Sequence, residues 1–265
     1  MNAPVDLLAP DLERRFGGLR RLHGDAGYQA LRAARIGVVG LGGVGSWAVE
    51  ALARSGVSEL TLIDMDHVAE SNINRQVQAM GATLGQAKGE ALRARIADIH
   101  PGCDVQLIDD FVTATNWPEV LTRDVDVLID ACDQVQAKTA MAHWAMQHKV
   151  HFVTVGAAGG KNKPQAVEIE DLANTTHDPL LASMRQRLRK QHGAARNGKI
   201  GVRCVFSREP VATPANASCE IDAGASATVD GSLNCHGYGS SVVVTATFGL
   251  VAASEALQCV LRRVV

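Results

Sequence analysis

The run Gly40-Leu41-Gly42-Gly43-Val44-Gly45 constrains the fold of this chain more than any other stretch. It follows the apolar segment Arg35-Ile36-Gly37-Val38-Val39, which reads as a buried parallel strand. It precedes Ser46 to Arg54, which reads as a helix. Strand, glycine turn and helix in that order place a phosphate on backbone N–H groups at the positive end of a helix dipole. Leu60-Thr61-Leu62-Ile63 predicts the next strand, and Asp64 ends it. That carboxylate falls about 20 residues beyond the glycines, where it can accept hydrogen bonds from ribose hydroxyls. Up to this point a nicotinamide-dependent dehydrogenase fits equally well.

The residues that follow separate the two uses of such a turn. Adenylation of a carboxylate by ATP needs positive charge aimed at the β- and γ-phosphates as pyrophosphate leaves. Hydride transfer needs none there. Arg75 and Lys88, with Asn72, Asn74 and Gln76 around them, supply a clamp of that kind. Asp133, in Val127-Leu128-Ile129-Asp130-Ala131-Cys132-Asp133, sits just past a later strand, where open α/β sheets bind ligands and where a carboxylate can hold Mg²⁺. Taken singly, a surface cation is commonly only solvated, and a strand-end aspartate commonly caps the next helix. The order and spacing of the set carry the reading.

Strands near 35–39, 59–63, 103–108, 125–130 and 151–155 alternate with helices near 43–55, 85–99 and 134–148. This pattern predicts an α/β fold: a Rossmann-like, doubly wound, mainly parallel sheet with helices on both faces. After Gly156-Ala157-Ala158-Gly159-Gly160 the rhythm changes. A strand is expected over Lys163 to Glu170, a cationic helix over Pro179 to Gln191, a strand over Gly201 to Phe206, and a last helix from about Gly239 to Arg263. Residues 207–239 are rich in small and polar types with no clear periodicity, and a loop of that length is functional or disordered. The expected division is an N-terminal arm and helix over 1–30, an ATP-binding core over 31–170, and residues 171–265 completing the same domain.

With 265 residues, 46% of them hydrophobic, the chain can bury one large core. Its formal charge of −2 excludes a global attraction to polyanions, so any such partner must meet a local patch. Between Pro179 and Arg208 there is no acidic residue, and Arg185, Arg187, Arg189, Lys190, Arg196, Lys199, Arg203 and Arg208 are basic. A solvated cationic helix would look similar. The six cysteines are scattered with no C-x-x-C pair, which argues against structural zinc. No secretory signal is visible in Met1 to Glu13, so a cytoplasmic protein with reduced thiols is expected. The apolar stretch from Ser241 to Ala253 is shorter than the roughly 18 residues a membrane span needs. It reads as a buried helix, with membrane association the minor alternative. Cys235, beside His236, is a candidate nucleophile or sulfur acceptor, or an ordinary loop cysteine. Cys132 reads as a packing residue, Trp47 and Trp144 as core, and His143, His148 and His151 as no metal site.

The residues together resemble a known group. Arg15-Phe16-Gly17-Gly18, the Gly40–Gly45 turn with Ser46-Trp47, Leu62-Ile63-Asp64-Met65-Asp66, Asn72-x-Asn74-Arg75-Gln76, Lys88 and Asp130-Ala131-Cys132-Asp133 are similar to the ubiquitin-activating-enzyme-like superfamily of adenylating enzymes. Within it, Asp109-Asp110-Phe111-Val112, Asp178-Pro179-Leu180, Cys204-Val205-Phe206-Ser207 and Val244 to Gly249 resemble the branch that dehydrates threonylcarbamoyladenosine in tRNA. The resemblance implies ATP and Mg²⁺ as cofactors, with Gly40, Gly42, Gly43, Gly45, Asp64, Asp66, Asn72, Asn74, Arg75, Gln76 and Lys88 around the nucleotide and Asp133 on the metal. It implies a carboxyl-adenylate intermediate and cyclization of the modified base. It also implies a homodimer in which Arg15, or in reserve Arg21, reaches the partner's ATP. Arg185, Arg187, Arg189, Lys190, Lys199 and Arg203 would meet tRNA. A cysteine desulfurase, a sulfur-acceptor protein and a monovalent ion at the long loop are further implied associations. The alternative function is adenylation of the C-terminus of a ubiquitin-like sulfur-carrier protein at the same ATP site. Relatives of that kind usually carry paired C-x-x-C motifs, which this chain lacks.

Overall fold

The computed structural model describes residues 10–212 and 238–263. Seven strands form one sheet: β1 (Arg35–Val39), β2 (Glu59–Ile63), β3 (Asp104–Ile108), β4 (Val127–Asp130), β5 (His151–Val155), β6 (Val167–Asp171) and β7 (Arg203–Ser207). Their spatial order is β3-β2-β1-β4-β5-β7-β6, and every neighbouring pair is parallel except β6 with β7. The predicted doubly wound sheet is therefore present, extended at one edge by an antiparallel strand.

The two faces follow from side-chain alternation along each strand. Ile36, Val38, Val127, Ile129, Val153 and Val155 point to one face, where they pack with Ala48, Val49 and Leu52 of α2 (Gly45–Arg54), Leu92 and Ile96 of α3 (Lys88–Ile99), and Val244, Phe248 and Ala252 of the terminal helix. Val39, Leu128, Phe152, Cys204 and Phe206 point to the other. There they meet Met141 and Ala145 of α4 (Val135–His148) and Leu181, Met184 and Leu188 of α5 (Pro179–Gln191). Each fully buried side chain of this size contributes about 1.5–3 kcal/mol, so both faces hold the sheet flat against its helices. The N-terminal helix α1 (Leu12–Arg32) starts at Asp11, whose carboxylate accepts the Arg14 N–H at 3.1 Å, and breaks at Gly24, where φ is +71°.

The terminal helix α6 (Val242–Leu261) is apolar and long enough to cross a membrane, yet half of that stretch is buried inside the fold. It lies directly on α2. A Cβ at Gly249 would stand 2.3 Å from the Val44 carbonyl oxygen, so only glycine permits this approach.

Boundaries differ from the expected ones by a few residues, and three of the shifts have a plain local reason. β6 begins at Val167 rather than Lys163, because Pro164 opens a short 3-10 turn and has no N–H for a strand ladder. β7 begins at Arg203 because Gly201 adopts φ +90°. α3 begins at Lys88, after Gly85 turns the chain at φ +80°.

Asp126 ties three parts of the fold together. It accepts the Arg35 N–H at 3.0 Å, the Arg35 Nε–H at 3.2 Å and an Arg263 guanidinium N–H at 2.9 Å. Burial pushes its carboxyl upward, but the bonds from Arg35 and Arg263 outweigh that and hold it at about 2. Because the folded value lies below the unfolded one, near 3.9, this group stabilises the protein above pH 4 and loses that contribution as pH falls toward 2. Asp126→Asn is expected to lower the urea midpoint at neutral pH and to shrink the difference between neutral pH and pH 3. An unchanged difference would show that other carboxylates govern the acid limb.

Candidate nucleotide site

The glycine turn between β1 and α2 is packed so tightly that its residues divide into those beneath it and those facing outward. A Cβ on Gly45 would lie 1.7 Å from the Gly40 carbonyl oxygen, and one on Gly40, at φ +84°, would lie 2.9 Å from the Ala131 backbone. These two glycines let the turn close against the end of β4. Gly42 faces open space, and Gly43 accommodates the Arg75 stem, whose Cγ would be 3.1 Å from its Cβ. No side chain caps the start of α2, whose Ser46 N–H donates to the Gly42 carbonyl at 3.1 Å, so the turn is closed by its own backbone and its positive helix end faces the cavity.

In front of the turn is a cavity of about 830 Å³. Gly40, Gly42, Gly43, Asp64, Asp66, Asn72, Arg75, Gln76, Lys88 and Asp133 all line it. Two expected members do not. Gly45 is buried under Gly40, and Asn74 points elsewhere, its Nδ2 donating to the Ser240 carbonyl at 3.2 Å and its Oδ1 accepting from Arg75 at 2.9 Å. Asp64 accepts the Leu41 N–H at 2.6 Å and the Asp66 N–H at 2.8 Å, which locks the end of β2 to the glycine turn. Burial raises its pKa, against the opposing pull of Lys88 and these two N–H groups. Lys88 Nζ sits 2.6 Å from Asp66 Oδ2 and 3.9 Å from Asp64 Oδ1. The Arg75 guanidinium donates to the Ser71 carbonyl at 2.6 Å, while its backbone oxygen accepts Trp47 Nε1 at 2.9 Å. Trp47, expected to be core, is half-buried and fastens α2 to the cationic segment. The N-cap position of α4 is Gln134, which places Asp133 one residue before the helix, at the cavity wall.

Several contributors escaped the sequence reading. Phe111 to Ala114, after β3, line the cavity, and Phe111 is half exposed at 51%. Behind Asp133, Asp130 and Lys138 form an ion pair at 2.8 Å with both side chains fully buried. Thr154 Oγ donates to Asp130 at 2.6 Å, and the Cys132 N–H and thiol donate to it at 3.2 and 3.0 Å. Burial works to lower the Lys138 pKa, but the Asp130 charge outweighs it and the net direction is upward. Burial and the adjacent Asp130 charge push the Cys132 thiol well above its ordinary value, which disfavours the thiolate. Asp178 caps α5 by accepting the Leu181 N–H at 3.0 Å and also accepts the Ala157 N–H at 2.8 Å; it thereby sets the first turn of α5, with Leu180, against the cavity.

The acid-free sequence segment is not an acid-free surface. Arg203 pairs with Glu255 of α6 at 2.9 Å, and Arg208 with Glu168 of β6 at 3.0 Å. Arg203 is exposed, but its charge is already met by Glu255. Arg185 turns inward, donating to the Leu172 and Thr175 carbonyls at 3.0 and 2.9 Å. Arg187 and Arg189 are half-buried, and Lys190, Arg196 and Lys199 are exposed.

Within its own chain Arg15 does not reach the cavity. It donates to the Asp98 and Ile99 carbonyls at 2.5 and 2.7 Å, capping the far end of α3, about 16 Å along the helix from Lys88. Arg21 makes no hydrogen bond or ion pair among the described residues. His143 stacks on His192 at 4.0 Å and His148 on Trp144 at 5.3 Å; among the described residues no three metal-ligating side chains gather. Cys235 and the centre of the 207–239 stretch lie outside the described residues.

Comparison with known proteins agrees with this geometry. The ThiF family model matches residues 14–264. The chain is 42% identical over 254 residues, 95% of each sequence, to the tRNA threonylcarbamoyladenosine dehydratase of Haemophilus influenzae. It is similar to the crystal structure of the E. coli tRNA N6-threonylcarbamoyladenosine dehydratase in complex with ATP, at 40% identity and a TM-score of 0.85, covering 97% of this chain and 98% of that one. The AMP complex of the same enzyme gives a TM-score of 0.84 at the same identity and coverage.

Proposed function

Because this chain belongs to the ThiF family, we propose that it is an ATP-dependent enzyme that dehydrates N6-threonylcarbamoyladenosine in tRNA to its cyclic form through a carboxyl-adenylate. The observation that carries the reading is the convergence of Arg75, Lys88 and Asp133 on one cavity with the Gly40–Gly43 turn, in a chain that parallels a dehydratase relative over 95% of its length. The alternative, a sulfur-carrier activator, would use the same cavity but has no such full-length support.

The chemistry asks the protein to position groups and to neutralise charge. The threonyl carboxylate of the substrate is ionised at neutral pH, since such groups titrate near 3–4. It attacks the α-phosphorus of ATP, the bond to the β-phosphate breaks, and pyrophosphate departs. The N–H groups at the start of α2, with Arg75 and Lys88, stabilise the charge that develops on the phosphates. Asp64 holds the ribose. The carbamoyl group of the same nucleoside then closes on the activated carbonyl and AMP leaves, so the net change is loss of one water from the base. Aligned groups on one molecule reach effective molarities of about 10⁵ M, and the proton that the carbamoyl group gives up on closing passes to the departing AMP phosphate or to solvent.

Asp133 fits a Mg²⁺ site, because that ion uses only one or two protein carboxylates together with phosphate oxygens and water. Bound there, Mg²⁺ would offset phosphate charge. A homodimer is part of the proposal, with Arg15 or Arg21 acting on the partner's cavity, as is a cytoplasmic location in which α6 stays within the core.

Incubating the protein with ATP and tRNA carrying the linear modified base, then digesting the tRNA to nucleosides, tests the reading. Mass spectrometry is expected to show the modified nucleoside lighter by one water and AMP formed in equal amount. An unchanged nucleoside, with AMP accumulating only when a carrier protein is supplied, would move the assignment to the alternative.

A further inference from the structure

Helix α5 joins two places on the molecule. Its first turn carries Leu180, which lines the nucleotide cavity, and its last turns carry a second concavity. This second groove, of about 530 Å³, is lined by Ala182, Arg185, Gln186, Arg189, Lys190 and Arg196. Four of those six are basic and none is acidic. The helical positions 182, 185, 186, 189 and 190 recur at spacings of three and four, so they form one continuous stripe. Arg187 lies off that stripe. The segment after α5 folds back to complete the groove: Arg189 Nε donates to the Ala195 carbonyl at 3.1 Å, which brings Arg196 beside the helix. Arg185, anchored to the Leu172 and Thr175 carbonyls, forms a fixed base to the groove. Lys190 and Arg196 are exposed at its mouth.

We infer that this groove is the seat for backbone phosphates of the tRNA adjoining the modified base, with α5 acting as a spacer between phosphate grip and reaction centre. The inference rests on the proposed tRNA reading and deepens it. From Leu180 to Lys190 the helix rises about 15 Å. A few nucleotides of extended backbone cover that distance. A base unstacked from its neighbours enters the cavity while the flanking strand is held in the groove. Such contacts fix register without reading sequence, which suits an enzyme whose specificity comes from the modified base itself. The placement also revises which cations matter: Lys190, Arg196 and Arg189 form the RNA contact, whereas Arg203 and Arg208 are engaged by Glu255 and Glu168.

The test is a charge reversal at the two exposed positions, Lys190→Glu with Arg196→Glu. An off-groove pair, Arg93→Glu with Arg123→Glu, matches the change in net charge. Steady-state dehydration is followed with tRNA at several salt concentrations, with ATP affinity measured alongside. The groove pair is expected to raise KM for tRNA at least tenfold with little change in kcat, and to reduce the salt slope by about 1.4–1.8, which is two phosphate contacts' worth. Lys190→Arg with Arg196→Lys is expected to keep near-parental KM. ATP affinity is expected to hold in all of them. An equal rise in KM for the off-groove pair, or an unchanged KM and slope for the groove pair while the parent protein is active, would overturn the groove. Loss of pyrophosphate inhibition in the groove pair with KM for tRNA kept would assign it to a free phosphate and overturn the RNA role. An inactive parent protein would instead remove the tRNA reading beneath it.

Discussion

Arg75→Ala is expected to slow adenylate formation by on the order of 10²–10³ with the fold intact, the loss typical of removing one preorganised charge partner from a transition state. The separation of effects follows from how Arg75 is held. Its structural service is done by its main chain, which accepts the Trp47 indole N–H, and among the described residues its guanidinium donates to two sequence neighbours, the Ser71 carbonyl and Asn74 Oδ1. Truncation therefore leaves α2 anchored while removing the cation from the cavity wall. Lys88→Ala is a poorer probe, because it would leave Asp66 and the buried Asp64 facing each other without a counter-charge. The measurement is single-turnover AMP release from saturating ATP and tRNA, with a thermal melt in parallel. A near-parental rate with an unchanged melt would make Arg75 a surface residue that happens to border the site.

Lys138→Met is expected to destabilise the protein by about 3–5 kcal/mol, since deleting one member of a buried pair strands the other charge away from water. Asp130 is fully enclosed, and its remaining partners, Thr154 and Cys132, are neutral donors that cannot replace an ammonium. For a chain of this size the melting temperature should fall by roughly 6–20 °C. The double variant Lys138→Met with Asp130→Asn should recover much of that loss, because the orphaned charge is gone. A single variant as stable as its parent would show that water reaches the pair. The functional consequence is local: Asp130 organises the turn that carries Cys132 and Asp133, so the double variant is expected to melt near normally yet bind ATP–Mg²⁺ more weakly.

The parts legible in the sequence were those whose signal is local. The glycine turn, Asp64, the Asn72–Gln76 segment and Lys88 each announce themselves within a short window, because strand, turn and helix must follow one another in the chain to make a phosphate site. The strands β1, β2, β4 and β5 were equally plain, being apolar runs bounded by turn residues. What stayed hidden depends on partners remote in sequence. Arg203 read as an open cation because Glu255, its counter-ion, arrives 52 residues later on α6. Lys138 drew no reading at all, since nothing in its own helix says that the residue faces a strand end. Arg15 showed its motif but not its engagement with the end of α3. The antiparallel β6 was visible as a strand, but its direction depends on pairing with β7, which local pattern does not encode.

The contact of Gly249 with Val44 has a bearing on how the protein is made. Translation delivers the glycine turn and α2 early, but the surface on which α2 rests, including Val244, Phe248 and Ala252, belongs to α6, far downstream in the chain. Thr245 of the same helix also completes the cavity wall. A nascent chain therefore carries the proposed phosphate contacts, Arg75 and Lys88 among them, before the helix that backs them has been made. A truncation that removes α6 is expected to weaken ATP binding in an equilibrium titration without touching any residue of the glycine motif.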